Sequence, residues 1–287
     1  MKSCRKQTTV SQVIKTATRK LSFSGSPSPL IDARALLCYV LRKPPVHLLA
    51  YPDKALSVDA CRSFFALVRQ RCNGRPIAHL LGEKEFWSLS LSVSPATLIP
   101  RPETETLVEV VLDLAPTVDG AILDLGTGTG AIALALASEL PQRDFFGVEM
   151  YEEAFELAVK NTHKLGIKNI QLFRGDWFEP VELGTKLAFI VSNPPYIDKC
   201  DPHLTKGDVC FEPSSALIAG EDGLASIVHI SETARAYLKP GGWLVFENGY
   251  QQGEAARNIL SNFGYEGIET RKDYTGNDRV TLGRLPG

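Results

Sequence analysis

From Ala121 onward the chain alternates short apolar strands with amphipathic helices, and few folds accept that alternation. The pattern predicts strands over residues 121–125, 144–149, 169–174 and 187–192. Between them it predicts a helix from Gly130 and a second over 152–165, whose core face reads as Phe155, Ala158, Val159 and Thr162. Repeated β-α units of this length require a mostly parallel sheet with helices on both faces, and such sheets bind ligands beyond the carboxyl ends of their strands. A strand at 243–247 and an antiparallel pair near 265–271 and 279–283 would complete the sheet.

The first seventy or so residues keep a helical period instead. Ala33, Leu36, Leu37 and Val40 share one face, and Cys61, Phe64, Phe65 and Val68 another, with Ser57 placed to cap the second helix. The Ser- and Pro-rich run at 24–29 and the Lys43-Pro44-Pro45 break separate these helices into a small bundle. Leu89, Leu91 and Val93 then alternate with Ser88, Ser90, Ser92 and Ser94, as in a strand with one buried face, and Gly82 and Glu83 read as the turn before it. The expected organisation is a helical bundle over 1–75, a β-hairpin connector over 76–95 and an α/β domain over 96–287.

A net charge of −2 with no basic block gives no sign of a phosphate backbone as direct partner. The opening Met1-Lys2-Ser3-Cys4-Arg5-Lys6 is not followed by the apolar run of roughly 7 to 15 residues that a secretory signal needs, so export is not expected. The longest apolar stretches, such as 131–137, fall short of the ~20 residues that cross a bilayer, so no membrane partner is expected. Cys4, Cys38, Cys61, Cys72, Cys200 and Cys210 contain no C-x-x-C pair, and His47, His79, His163, His203 and His229 have no metal-ligand spacing; reduced thiols and no metal are expected.

Gly126, Thr127, Gly128, Thr129 and Gly130 lie where the first predicted strand of the α/β domain turns into its helix. Glycines there permit a tight turn and close approach of a ligand to the backbone, while the helix start offers unpaired N–H groups. This suits a nucleoside-containing cofactor without choosing one. Gly126, Gly128 and Ala131 also satisfy the dinucleotide fingerprint, and Glu149, about twenty residues on, would accept hydrogen bonds from ribose hydroxyls with either cofactor.

Asn193-Pro194-Pro195-Tyr196 discriminates further. It follows a strand, hence lies on the ligand side of the sheet, and its two prolines stiffen an extended loop whose acceptors stay unpaired. An amide or amino nitrogen is a poor nucleophile until its hydrogens are engaged and its reacting face is aimed. The Asn193 side-chain oxygen and the Pro194 carbonyl can each accept one N–H from such an NH₂ group, and Tyr196 can pack against the flat group. Catalysis would be by orientation and pre-set dipoles. Hydride transfer has no use for two fixed acceptors, so the dinucleotide reading weakens.

With these motifs stand Arg75-Pro76-Ile77, Leu98 to Glu105 (Leu-Ile-Pro-Arg-Pro-Glu-Thr-Glu), Asp176-Trp177-Phe178, Phe211-Glu212-Pro213 and Asn277-Asp278-Arg279. Together they resemble the peptide chain release factor glutamine methyltransferases, the HemK/PrmC family, over nearly the whole chain. The resemblance implies a Rossmann-like class I methyltransferase sheet behind a small N-terminal helical domain that binds the substrate protein. It implies S-adenosyl-L-methionine as donor, S-adenosyl-L-homocysteine as product, and the glutamine of the Gly-Gly-Gln loop of release factors as acceptor. By position, Gly126 to Gly130 would hold the methionine part of the donor, Glu149 its ribose, and Trp177 would flank the adenine. Asn193, Pro194, Pro195 and Tyr196 would bind the glutamine, with Asn193 beside the transferring methyl. Asn-Pro-Pro-Tyr is shared with adenine-N6 nucleic-acid methyltransferases, which are the alternative. The chain departs from the family pattern at Glu149 (usually Asp), Cys210 (usually Arg) and His79 (usually Tyr). Arg101, Glu103 and Glu105 read equally as a charged helix start and as pocket residues.

Overall fold

The computed structural model of the protein describes residues 8–182, 184–205, 207–220 and 223–287. Cys4 and the side chain of His203 lie outside the described residues. The chain folds into two compact units, a helical one built from Met1–Gly82 with Lys206–Phe211 and a sheet unit built from Glu83–Thr205 with Glu212–Gly287. Among the described residues no helix is long and apolar enough to cross a membrane.

The helical unit contains α1 (Val10–Phe23), α2 (Pro29–Leu41), α3 (Pro45–Ala50), α4 (Val58–Cys72) and α5 (Ile77–Leu81). Thr9 caps α1 in a capping box with Gln12, and the Ser57 hydroxyl caps α4 by accepting from the Ala60 N–H. Val13, Ala17, Leu21, Leu36, Leu37 and Phe64 meet in its core. Beside them the buried Asp32 carboxylate accepts from Arg71 Nε at 2.8 Å and from the Ser26 and Ser28 hydroxyls, also at 2.8 Å. Arg71 reaches on to Asp208 at 3.1 Å. That shared guanidinium and the Phe211 ring packed against Gly74 tie Gly207–Phe211, far along the chain, to the helices.

The hairpin is shorter than its sequence pattern suggested. Residues 77–81 form α5, because Pro76 sets its start and Gly82 closes it with a φ of +73°. The turn lies instead at Trp87-Ser88, joining β1 (Glu83–Phe86) to β2 (Leu89–Ser92) with φ of +51° and +59°. A two-residue turn with both φ positive is usually built from Asn-Gly, so Trp-Ser carries no turn signal.

The sheet unit continues with α6 (Glu105–Leu114), β3 (Ile122–Leu125), α7 (Ala131–Glu139), β4 (Phe145–Glu149), α8 (Glu152–Leu165), β5 (Ile170–Arg174) and β6 (Leu187–Ser192). It closes with α9 (Ala225–Tyr237), β7 (Leu238–Glu247), α10 (Gly253–Asn262), β8 (Glu266–Lys272) and β9 (Asp278–Arg284). Strand order is β5-β4-β3-β6-β7-β9-β8; the first five are parallel and β9 runs antiparallel to both its neighbours. The order reverses between β3 and β6, which opens the crevice where such sheets take ligands. Apolar clusters cover both sheet faces, one including Leu107, Leu134 and Phe189, the other Ile190, Ile230 and Leu260.

The core face of α8 differs from the face read in the sequence. Ala154, Leu157, Ala158 and Asn161 are buried, while Phe155, Val159 and Thr162 are only partly covered. Asn161 decides the rotation. Its Oδ1 accepts from Ser92 N–H at 2.7 Å, and its Nδ2 donates to Ser92 O at 3.0 Å and Thr129 O at 2.9 Å. A fully hydrogen-bonded amide can be buried at the centre of a core face, which a hydrophobic period cannot detect.

Candidate active site

Strand β3 ends in the glycine loop, where Gly126, Gly128 and Gly130 all take positive φ, at +67°, +57° and +82°. At the start of α7 the φ of Gly130 would strain any residue with a Cβ, and a Cβ there would also press on the tip of the Leu134 side chain at 2.8 Å. Thr127 N–H donates to Val148 O at 3.0 Å and Gly128 N–H to Glu149 Oε2 at 2.9 Å, which fastens the loop to the end of β4. The other oxygen of Glu149 accepts from Tyr151 N–H at 3.0 Å. Two backbone donors thus fix the carboxylate while each oxygen keeps a lone pair for a ligand.

Behind the loop Asp124 is buried and accepts from the Thr127 hydroxyl at 2.6 Å. Burial pushes its carboxyl up to about 7 against the Thr127 hydrogen bond.

These elements surround a cavity of about 310 Å³ at the carboxyl ends of β3 to β6. Gly126, Thr127, Gly128, Thr129, Glu149, Trp177, Asn193 and Pro195 line it, together with Thr97, Arg101 and Thr104. Trp177 holds a φ of +44°, a strained value for a large side chain, and its ring also packs against the core with His229 at 6.0 Å between centroids. Gly130, Pro194 and Tyr196 adjoin lining residues along the chain without lining the cavity themselves, and neither Glu103 nor Glu105 lines it. Glu105 accepts from the Trp87 N–H in the hairpin at 2.8 Å.

The Asn-Pro-Pro-Tyr loop leaves β6 with part of its polar atoms committed. Asn193 Nδ2 donates to Thr104 Oγ1 at 3.3 Å, so Oδ1 is the amide atom left to accept. Thr104 donates its hydroxyl to Glu247 Oε2 at 2.6 Å, and Tyr196 donates its own to Glu247 Oε1 at 2.9 Å. The Tyr196 phenol is therefore pinned inward rather than free to follow a substrate; burial and the Glu247 carboxylate hold it well above its ordinary range. Gln252 Nε2 donates to Tyr196 O at 3.0 Å, and a Cβ on Gly223 would clash with that carbonyl. Arg101 is paired with buried Glu212 at 2.6 Å.

The sequence did not single out Thr104, Asn161, Glu247 or Gln252. Glu247 carried one usable signal, an acidic residue ending the apolar run Trp243-Leu244-Val245-Phe246 on the ligand side of the sheet. Cys210 is exposed in the helical unit, its thiol donating to Gly207 O at 3.0 Å, and His79 sits in α5.

Sheet order, glycine loop and cavity define a class I methyltransferase, and a 16S rRNA N2 G1207 methyltransferase of T. thermophilus, solved with AdoMet and guanosine, shares the fold at a TM-score of 0.52 and 21% identity over 71% of this chain and 49% of that one. Residues 12–82 match the PrmC N-terminal domain and residues 103–229 the methyltransferase small domain. The release factor glutamine methyltransferase of Vibrio cholerae is 57% identical over 276 residues, 96% of either chain, and that of Escherichia coli K12 is 52% identical over 260, 91% of this chain and 94% of that protein. The chain belongs to the release factor glutamine methyltransferase family.

Proposed function

We propose that the protein transfers a methyl group from S-adenosyl-L-methionine to the side-chain amide nitrogen of the glutamine in the Gly-Gly-Gln loop of translation release factors, in the cytoplasm. The observation that carries this reading is the Asn193 amide, its Nδ2 committed to Thr104 and its Oδ1 left to accept, in the lining of the cavity that Glu149 and the glycine loop share. The residues present fit the donor. Glu149 has acceptors to spare for a ribose diol, the loop from Gly126 to Gly130 brings backbone close to the cavity, and Trp177 offers a flat apolar wall. When bound, the donor supplies an electrophilic sulfonium methyl and leaves as S-adenosyl-L-homocysteine.

The protein's part is orientation. Asn193 Oδ1 and the Pro194 carbonyl each accept one N–H of the glutamine amide, turning the nitrogen lone pair toward the methyl. The nitrogen becomes acidic as the new N–C bond forms, and its proton then passes to solvent without a dedicated base. The helical unit is proposed to bind the release factor, since exposed Phe23, Leu30 and Leu49 line one groove with Lys15, Arg19 and Arg34.

Labelled methyl transfer to purified release factor, to its Gln→Asn loop variant and to duplex DNA tests this directly. Label on the wild-type factor alone is expected. Label on DNA would replace the reading with an amino methyltransferase of nucleic acid.

A further inference from the structure

Glu247 is buried at the end of β7, beyond the cavity lining, and no cofactor or substrate role above uses it. Its surroundings nevertheless give it control over the group that meets the substrate. Both of its oxygens accept hydroxyl protons, one from Thr104 and one from Tyr196. A carboxylate can only accept. Thr104 has a single proton, and once that is given to Glu247, Thr104 Oγ1 can only accept from whatever faces it on the other side. What faces it is the Asn193 amide. The NH₂ end must then point at Thr104, because the reverse orientation would set two acceptors against each other.

We infer that Glu247 is a positioning residue for methyl transfer: through Thr104 it fixes which end of the Asn193 amide faces the substrate, and through Tyr196 it holds the other end of the same loop. The inference rests on the glutamine-methylation reading and adds to it a requirement that Glu247 be ionised. Protonated Glu247 would offer a donor to Thr104, which could then turn its own proton toward Asn193 and reverse the amide. An outward NH₂ would repel the N–H groups of the substrate.

The charged groups facing Glu247 are Arg279 from β9, at 4.0 Å and itself bound to Asp273 at 3.1 Å, and Glu103 ahead of α6, with Tyr196 from the β6 loop. Burial and Glu103 raise the Glu247 carboxyl; the Thr104 and Tyr196 hydrogen bonds and Arg279 oppose them, and the balance lies above the ordinary carboxylate value. A raised acid is protonated at pH values where a free one is already ionised. Wild-type kcat should therefore show an acidic limb displaced upward from the free carboxylate range, near 4.3.

The test uses the full-length protein, and Glu247→Gln is the first variant. It keeps the shape but offers one acceptor and one donor where the carboxylate offered two acceptors. We expect kcat on release factor to fall by about ten- to a hundred-fold, as for a small misplacement of an orienting group. The KM for S-adenosyl-L-methionine should stay within about twofold, and the acidic limb of kcat should disappear. Thr104→Val should reproduce the loss, and Thr104→Ser should restore most of the rate. A second readout needs no substrate. The side-chain NH₂ signals of Asn193 in ¹⁵N NMR, assigned by their loss in Asn193→Ala, should titrate with Glu247 in the wild type and stay flat in Glu247→Gln.

Release factor left unlabelled by the wild type would sink the proposed function, while the NMR titration would still decide whether Glu247 sets the amide. Wild-type kcat and an unchanged pH profile in Glu247→Gln would overturn the positioning role, as would an Asn193 amide indifferent to Glu247.

Discussion

Asn193 lines the cavity with its Nδ2 committed to Thr104, and in the proposed mechanism its Oδ1 takes one substrate N–H, so Asn193→Ala should cut methyl transfer by on the order of 10² or more. Cofactor affinity, measured by calorimetry, should hardly change, because Glu149 and the glycine loop carry that contact in the proposed mechanism; equal losses in binding and rate would point to a collapsed site. Asp124 gives a different kind of prediction. Its folded carboxyl lies at about 7, above the ordinary 3.8, so the folded protein holds a proton that the unfolded chain has released. Stability contributed at this position is present below pH 4 and is lost as pH rises to 7. Asp124→Asn, which cannot ionise, should gain melting temperature relative to the wild type across that interval, and a constant difference between the two would show that burial does not shift the group. Side-chain roles of this sort were only half legible in the sequence. The glycines, Glu149 and Asn193 announce themselves by spacing. Thr104, Asn161 and Glu247 do not, because their importance comes from partners 89, 69 and 143 positions away along the chain.

At the level of elements, the β-α alternation placed β3, β4 and β6 to within about a residue, since strands buried on both faces leave continuous apolar runs. It failed where polar atoms or local backbone decide. The face of α8 turns on a buried asparagine, β7 begins five residues before its apolar run, and the hairpin turns on Trp87-Ser88. That turn can be improved. Ser88 is exposed at a φ of +59°, and Ser88→Gly should raise stability by about 1 kcal/mol by removing the left-handed penalty, read as a higher denaturant midpoint with an unchanged slope. Gly147 in β4 is the opposite case. A Cβ there would lie 2.6 Å from Leu172 Cδ2 and 3.3 Å from the Thr127 hydroxyl, so Gly147→Ala should cost about 1–3 kcal/mol and loosen the glycine loop from beneath. Its signature would be weaker cofactor binding together with a lower midpoint.

For the whole molecule, the proposed division of labour predicts that surface changes on the helical unit alter recognition and leave chemistry alone. Phe23 is 85% exposed at the end of α1, an expensive position for a phenyl ring without a partner. Phe23→Ser should raise the KM for release factor by about tenfold while kcat at saturation is kept. A fall in kcat with unchanged KM would remove the helical unit from substrate binding. The two-unit organisation was partly visible in the change of period near residue 80, but the assignment of Gly207–Phe211 to the helices was not, because it depends on contacts such as Arg71 with Asp208 and Gly74 with Phe211 between distant parts of the chain. That short segment makes the helical unit discontinuous, and the chain passes between the units three times. One protease cut near residue 82 would therefore leave a nicked protein whose first fragment still grips residues from the second. By the same topology, a genetic exchange that grafted a new leading domain onto this enzyme would inherit an Asp208 with no arginine to meet it, so the two halves of the gene are bound to travel together.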